Sequence, residues 1–322
     1  MSQRGLLPFR FFSTWFRPGL TEPAPQLQPV RLALISEGWP TWPLYVAQEK
    51  RLFEKEGVNV DVTLTGSSVM QLEKLIRGEF DIGFQQSDHV VRGVEGGADL
   101  FIFMAQGHAP DLSLVAAPGI GTFADLKDKV IAVDGARTGY ALLLRKLLNG
   151  NGLKDGDFTF MEIGGSQERF EALKGGAASA SLLNAPFDRN LFAAGFGSLG
   201  TINGFFPAYP GSIAATRHSW AQRNEKQLVA FIRAFNAGYA WLQDPGNKAE
   251  AIRMLPARLG VDPEAAAKAF ERFAKRPQPQ ITPEGLQQVI DVVWDAEGFQ
   301  LPKGAPGKYL DLSYQRLAAQ AR

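Results

Sequence analysis

The chain has 322 residues, with 34 lysines and arginines against 33 acidic side chains, three histidines and no cysteine. The near-balance of charge argues against a nucleic-acid-binding protein, whose basic excess gathers on one face. The lack of cysteine removes disulfides, thiol nucleophiles, iron–sulfur clusters and cysteine zinc sites. At 45% hydrophobic and 21% charged residues, the composition is that of a globular protein too long for one hydrophobic core, so two domains or lobes are expected.

The first thirty residues are rich in Arg, Phe and Pro and carry no acid before Glu22. Pro8, Arg10 and Arg17 interrupt their apolar stretches, so the continuous run of a secretory signal is missing. Residues 1–29 are expected to be a leader or disordered extension ending in a Pro-rich linker. Elsewhere no apolar run reaches the length of a membrane-spanning helix.

From Val30 onward strands and helices alternate. Residues 31–35 read as a short apolar strand, 43–56 as a helix with Leu44, Ala47, Leu52 and Phe53 on one side, and 58–62 as an alternating strand after Gly57. Residues 65–68 can cap a helix running to Arg77, and 80–84 are the next strand. A strand at 101–105 precedes a second run, in which 112–115, 130–133, 158–162 and 179–183 are strands. Helical turns or helices lie between them at 122–127, 138–148 and 167–174. A strand at 212–216 follows, and then helices at 225–242, 248–255, 263–274 and 283–293. Residues 299–312 hold several glycine and proline breaks and are expected to trail over the surface. Strands alternating with helices imply a mainly parallel sheet with ligands at the carboxyl ends of the strands. The order of elements in the second run repeats that of the first.

Several segments together resemble one family. The stretch Pro43-Leu-Tyr-Val-Ala-Gln-Glu-Lys-Arg-Leu-Phe-Glu-Lys-Glu-Gly57 is similar to the opening of ABC-transporter substrate-binding proteins of the sulfonate, nitrate, taurine and thiamine-pyrimidine-precursor type. The resemblance continues in Leu75-Ile-Arg-Gly-Glu-Phe-Asp-Ile-Gly83, Phe123-Ala-Asp-Leu-Lys-Asp-Lys-Val-Ile-Ala132, Phe170-Glu-Ala-Leu-Lys-Gly-Gly176 and Ala230-Phe-Ile-Arg-Ala-Phe-Asn-Ala-Gly-Tyr-Ala-Trp241. It implies an α/β fold, the two-lobed type II periplasmic-binding-protein clamshell, with two crossover strands near 110–116 and 205–212 and a helical C-terminal section. Residues 30–114 plus 208–322 would form lobe one and 115–207 lobe two, closing on a ligand by a hinge motion.

A cleft between such lobes would be walled by loops after strands and by helix N-termini, whose free N–H groups favour anions. Candidate contacts are Gly66, Ser67 and Ser68 at a helix start, and Gln86, Ser87 and Asp88 directly after a strand. In the segment 134–140, Arg137 offers a two-pronged donor, with Thr138, Gly139 and Tyr140 beside it. Gly165 and Ser166, then Asn184 and Phe187, occupy the equivalent later loops. Glu37, Trp39, Thr41 and Trp42 lie at the end of the first strand, where one tryptophan is expected to stack on a ligand and the other to pack inward. His108 and Tyr209, near the crossovers, complete the set. Acids such as Glu37 or Asp88 would instead favour an amine or amide, which leaves the ligand's charge open.

Some proteins resembling this family are enzymes that make the thiamine pyrimidine, using a cysteine-rich segment, a histidine and a lysine. Here cysteine is missing, and His89, His108 and His218 have no metal-ligand spacing. Neither a Gly-x-Ser-x-Gly elbow nor a phosphate loop occurs. The expectation is a cofactor-free, metal-free, monomeric solute-binding protein of an ABC importer. Its partners would be a small-molecule ligand and a membrane permease, and its location periplasmic or otherwise extracytoplasmic. The alternatives are a pyrimidine-precursor-synthesising enzyme of the same fold and a ligand-sensing module for a membrane receptor.

Overall fold

The computed structural model describes residues 27–35, 37–108 and 112–320. The expected leader therefore lies outside the described residues except for its last three. The strands are β1 (Gln28–Leu34), β2 (Val58–Leu64), β3 (Ile82–Gln86), β4 (Leu100–Ala105), β5 (Ser113–Ala116), β6 (Lys129–Val133), β7 (Phe158–Glu162), β8 (Ala180–Leu183), β9 (Gly197–Thr201) and β10 (Ser212–Arg217). The helices before the last crossover are α1 (Trp42–Glu49), α2 (Leu52–Lys55), α3 (Ser68–Arg77), α4 (Ser87–Glu95), α5 (Gly139–Gly150), α6 (Ser166–Lys174), α7 (Phe187–Ala193) and α8 (Ile202–Phe205). After it come α9 (His218–Arg223), α10 (Glu225–Gln243), α11 (Lys248–Leu259), α12 (Pro263–Lys275), α13 (Pro283–Glu297) and α14 (Ser313–Ala319).

Two five-stranded sheets organise the chain, in the orders β2-β1-β3-β10-β4 and β7-β6-β8-β5-β9. In each sheet the first three strands pair in parallel, and the next strand runs antiparallel to both its neighbours. That antiparallel member is exchanged between the halves: β5 follows the first sheet's β4 but pairs in the second sheet, and β10 follows β9 but returns to the first. Two chain crossings therefore join two units of the same strand order. Helices cover both faces of each sheet, as parallel pairing requires.

One core lies between the first sheet and α10, where Phe53, Phe84, Phe103, Phe231 and Phe235 are buried together. A second begins on the sheet's other face, includes Val90 of α4, Ile290 of α13 and Leu144 of α5, and ends on Ile131 of the second sheet. Helix α13 packs against both α4 and α5 and so touches both halves.

Three expectations change. The helix expected over 43–56 breaks at Arg51, whose left-handed backbone (φ 53°) separates α1 from α2. That turn brings Phe53 onto Phe231, ring centroids 5.4 Å apart. β1 starts at Gln28, which already pairs with Val58, inside the stretch assigned to the extension. The tail over 299–312 does not merely trail. The Ile102 N–H donates to the Tyr309 carbonyl at 2.8 Å, Asp311 N–H to the Ile102 carbonyl at 3.0 Å, and the buried Tyr309 hydroxyl to Glu95 at 2.6 Å. The outer edge of β4 is satisfied in this way. Short elements without a strong pattern, namely β9, α7, α8 and α14, were not legible in the sequence.

Helix α10 meets α1 at Gly238, where an added Cβ would lie 2.3 Å from the Pro43 carbonyl oxygen. Alanine in a helix interior normally stabilises by about 1 kcal/mol over glycine. Here the sign is reversed: Gly238→Ala is expected to destabilise by about 1–3 kcal/mol through overpacking, measured by urea unfolding.

Candidate functional site

A cavity of about 320 Å³ opens between the two halves, in the size range of small-molecule sites. Its walls come from both sheets. From the first come the loop of Glu37, Trp39 and Thr41, the end of β3 at Gln85 and Gln86, and Gln106 to His108 after β4. From the second come Tyr140 on α5, Ser166 and Arg169 on α6, and Asn184, Ala185, Asp188 and Arg189 around the start of α7. The last turn of α12 and the residue after it supply Arg272, Phe273 and Arg276, with Tyr239 of α10 beside them.

The loop after β1 is pinned by Thr41, whose hydroxyl donates to the Gly38 carbonyl at 2.6 Å and accepts from the Gly38 N–H at 3.1 Å. It turns the half-buried Trp39 to the cavity. Trp42 lies outside the cavity lining, fully buried and edge-on to Trp39, Phe270 and Phe273. Glu37 is paired with Arg258 at 3.0 Å.

On the opposite wall a chain of hydrogen bonds fixes three polar groups. Arg169 donates to the Gly164 carbonyl at 2.6 Å and to the Ser166 hydroxyl at 3.2 Å, and Ser166 donates to the Asn184 side-chain oxygen at 2.8 Å. Arg169 is only 8% exposed, and burial lowers the pKa of its guanidinium. None of the ion pairs among the described residues gives it a carboxylate. Nearby Asp188 is occupied elsewhere, accepting from the Ser113 hydroxyl at 2.8 Å and the Arg189 N–H at 2.7 Å. The charges of Asp134 and Glu168 reach it only from beyond ion-pair distance, so burial of this cation is costly, and at a cavity wall that cost falls when an anion binds.

His108 Nε2 lies 3.1 Å from the Tyr239 hydroxyl, which donates to the Pro277 carbonyl at 3.2 Å. Burial, then the charge of Arg276, hold the His108 pKa below its ordinary value of 6.5. Burial pushes the Tyr239 hydroxyl up to about 12. Around neutral pH this corner is therefore a neutral imidazole and a neutral phenol beside a cation.

The remaining expected contacts lie outside the cavity lining, each for a local reason. Ser67 caps α3 by accepting from the Met70 N–H, with Gly66 before it and Ser68 opening the helix. Ser87 and Asp88 are buried in the first turn of α4, and Asp88 accepts from Arg92 at 2.7 Å. Arg137 is spent on Glu297, which also pairs with Arg92 at 3.0 Å. Thr138 caps α5 and donates to Asp134 at 2.7 Å. Gly139 lies so close to Asp88 that an added Cβ would be 2.1 Å from its oxygen. The helix start expected to receive a ligand anion is therefore faced by the protein's own carboxylate. Gly165 sits at the N-cap of α6, Phe187 packs on Phe170 at 5.7 Å, and Tyr209 is buried. Sequence reasoning missed Arg169, Arg272 and Phe273, which lie in helices read only for their apolar faces, and Arg276, just after one of them. Among the described residues no group of three or more His, Asp or Glu side chains is placed to hold a metal ion.

The family described as "NMT1/THI5 like" matches residues 41–248, well over half of the chain. The chain belongs to that family. The NMT1/THI5-like chain is also 29% identical over 135 residues to proteins from Brucella abortus and Brucella suis that are named as binding proteins. That match covers 42% of this chain, which thus spans about 41% of the length of those curated relatives. Among solved structures, a protein of Bordetella bronchiseptica RB50 superposes with a TM-score of 0.74 at 22% identity, covering 91% of this chain and 97% of that one. The alkanesulfonate-binding protein SsuA from Xanthomonas axonopodis pv. citri, bound to MOPS, gives 0.71 at 19% identity over 90% of this chain and all of its own (100%). The periplasmic nitrate-binding protein NrtA from Synechocystis PCC 6803 gives 0.71 at 18% identity over 92% and 89%. The NMT1/THI5-like chain thus has the two-lobed fold of periplasmic binding proteins.

Proposed function

We propose that the chain is the non-enzymatic, cofactor-free solute-binding component of an ABC importer, working outside the cytoplasm and delivering to a membrane permease. Residues 30–114 with 208–322 act as one lobe and 115–207 as the other, and they close by a hinge around a small organic acid. The observation that carries this reading is Arg169, a buried guanidinium in no close ion pair on the wall of a cavity shared by both sheets. Closure then follows from differential contact: an acid held by Arg169 and by the Trp39 loop favours the state in which both walls reach it.

A thermal-shift screen against sulfonates, carboxylates, nitrate, taurine and neutral pyrimidine precursors tests it. A ligand at about 100 times its Kd stabilises the fold by about 2.7 kcal/mol, and the expected response is to acids. A response confined to neutral heterocycles, or none at all, overturns the reading.

A further inference from the structure

We propose that the cavity holds a small organic dianion, with Arg169 on one lobe taking one acidic group and Arg272 with Arg276 on the other taking the second. This rests on the acid-binding reading above and goes further by fixing the number and placement of the charges.

Arg272, in the last turn of α12, and Arg276, the residue that ends it, both line the cavity. Lys275, between them, does not. A cation near a helix C-terminus is favourable wherever it points, so the helix end alone does not account for two arginines on the cavity side. Like charges four residues apart repel, and a bound anion would relieve that repulsion.

Among the described residues no carboxylate lies within ion-pair distance of this positive charge, although Asp134 and Glu168, outside the lining, act on Arg169 from further away. Glu37 is matched by Arg258 at 3.0 Å, and Asp188 by its hydroxyl and amide donors and by Arg189 at 3.9 Å. No ion pair among the described residues involves Arg169, Arg272 or Arg276. The field of Arg276 is felt at His108, whose protonated form it disfavours. Cations therefore stand on two walls contributed by different halves, with Trp39 and Phe273 as apolar surface. A ligand acidic at both ends would touch both walls at once, the condition for favouring closure.

The test compares a rigid pair, terephthalate and benzoate, and a flexible pair, suberate and octanoate, by calorimetric titration. In the native protein at least one diacid is expected to bind about tenfold or more tighter than its monoacid, the gain of one further charge-assisted contact. In the Arg272→Gln/Arg276→Gln double variant the ratio of diacid to monoacid affinity falls to near one. Arg169→Gln weakens both members of the pair. If the monoacids bind as well as the diacids, or the diacid advantage survives the double variant, the second acidic site is overturned and the acid-binding reading stands. If none of the four acids binds, the dianion site is overturned, and the acid-binding reading is decided by the thermal-shift screen above.

Discussion

Replacing Trp42 by Ala is expected to destabilise the protein by about 3–5 kcal/mol, the cost of deleting a fully buried large aromatic. The ring has no exposed surface. It is held edge-on by Trp39 at 6.4 Å, Phe270 at 6.3 Å and Phe273 at 5.5 Å, geometry that adds to simple burial. Trp39 and Phe273 also line the cavity, so the void would loosen two of its walls, and acid binding should weaken along with stability. Trp42→Phe is expected to cost less, because it removes the buried indole N–H, which lacks a hydrogen-bond partner, while keeping one ring. Urea unfolding of both variants decides the point. A loss below about 1 kcal/mol for Trp42→Ala would mean that the ring does not organise this cluster.

Arg169→Gln is expected to separate binding from stability. Loss of a charge-assisted contact costs about 1.5–3 kcal/mol, so acid affinity should fall roughly tenfold to a hundredfold. The ligand-free protein should keep its melting temperature within a few degrees. The guanidinium has no close ion pair to lose, and relief of its burial offsets the hydrogen bonds given up at Gly164 and Ser166 and the more distant attraction of Asp134 and Glu168. Unchanged acid binding in this variant would remove Arg169 from the site, and a collapsed melting temperature would assign it a purely structural role.

Much of the architecture was legible because it is written in local pattern. The strands at 158–162 and 179–183 and the helices capped by Ser67 and Thr138 appear within a residue or two of where periodicity and capping place them. The repeated order of elements, read from the chain alone, corresponds to two sheets of the same strand order. Elements with weak local signals escaped. The sequence of β9, Gly-Ser-Leu-Gly-Thr, has no alternation, and it is a strand because β5 offers it an edge. Likewise Tyr309 is buried because β4 needed a partner on its outer side.

The candidate site divides along the same line. A loop after a strand points to the carboxyl edge of a sheet wherever it occurs, so Glu37, Trp39, Gln86, His108, Ser166 and Asn184 could be nominated from sequence, and all six line the cavity. What no local signal carries is which charge finds a partner. Arg137 had the better sequence context, a glycine-flanked helix start, yet Glu297, 160 residues away, takes it. Arg169 sat in an ordinary amphipathic helix, yet folding buries it in no close ion pair. The sequence by itself determined the alternation of strands and helices, the duplicated layout and the family. Only the tertiary structure decided where free positive charge remains, because ion pairing depends on distances between residues far apart in the chain, whereas strands, helices and caps depend on neighbours a few residues away.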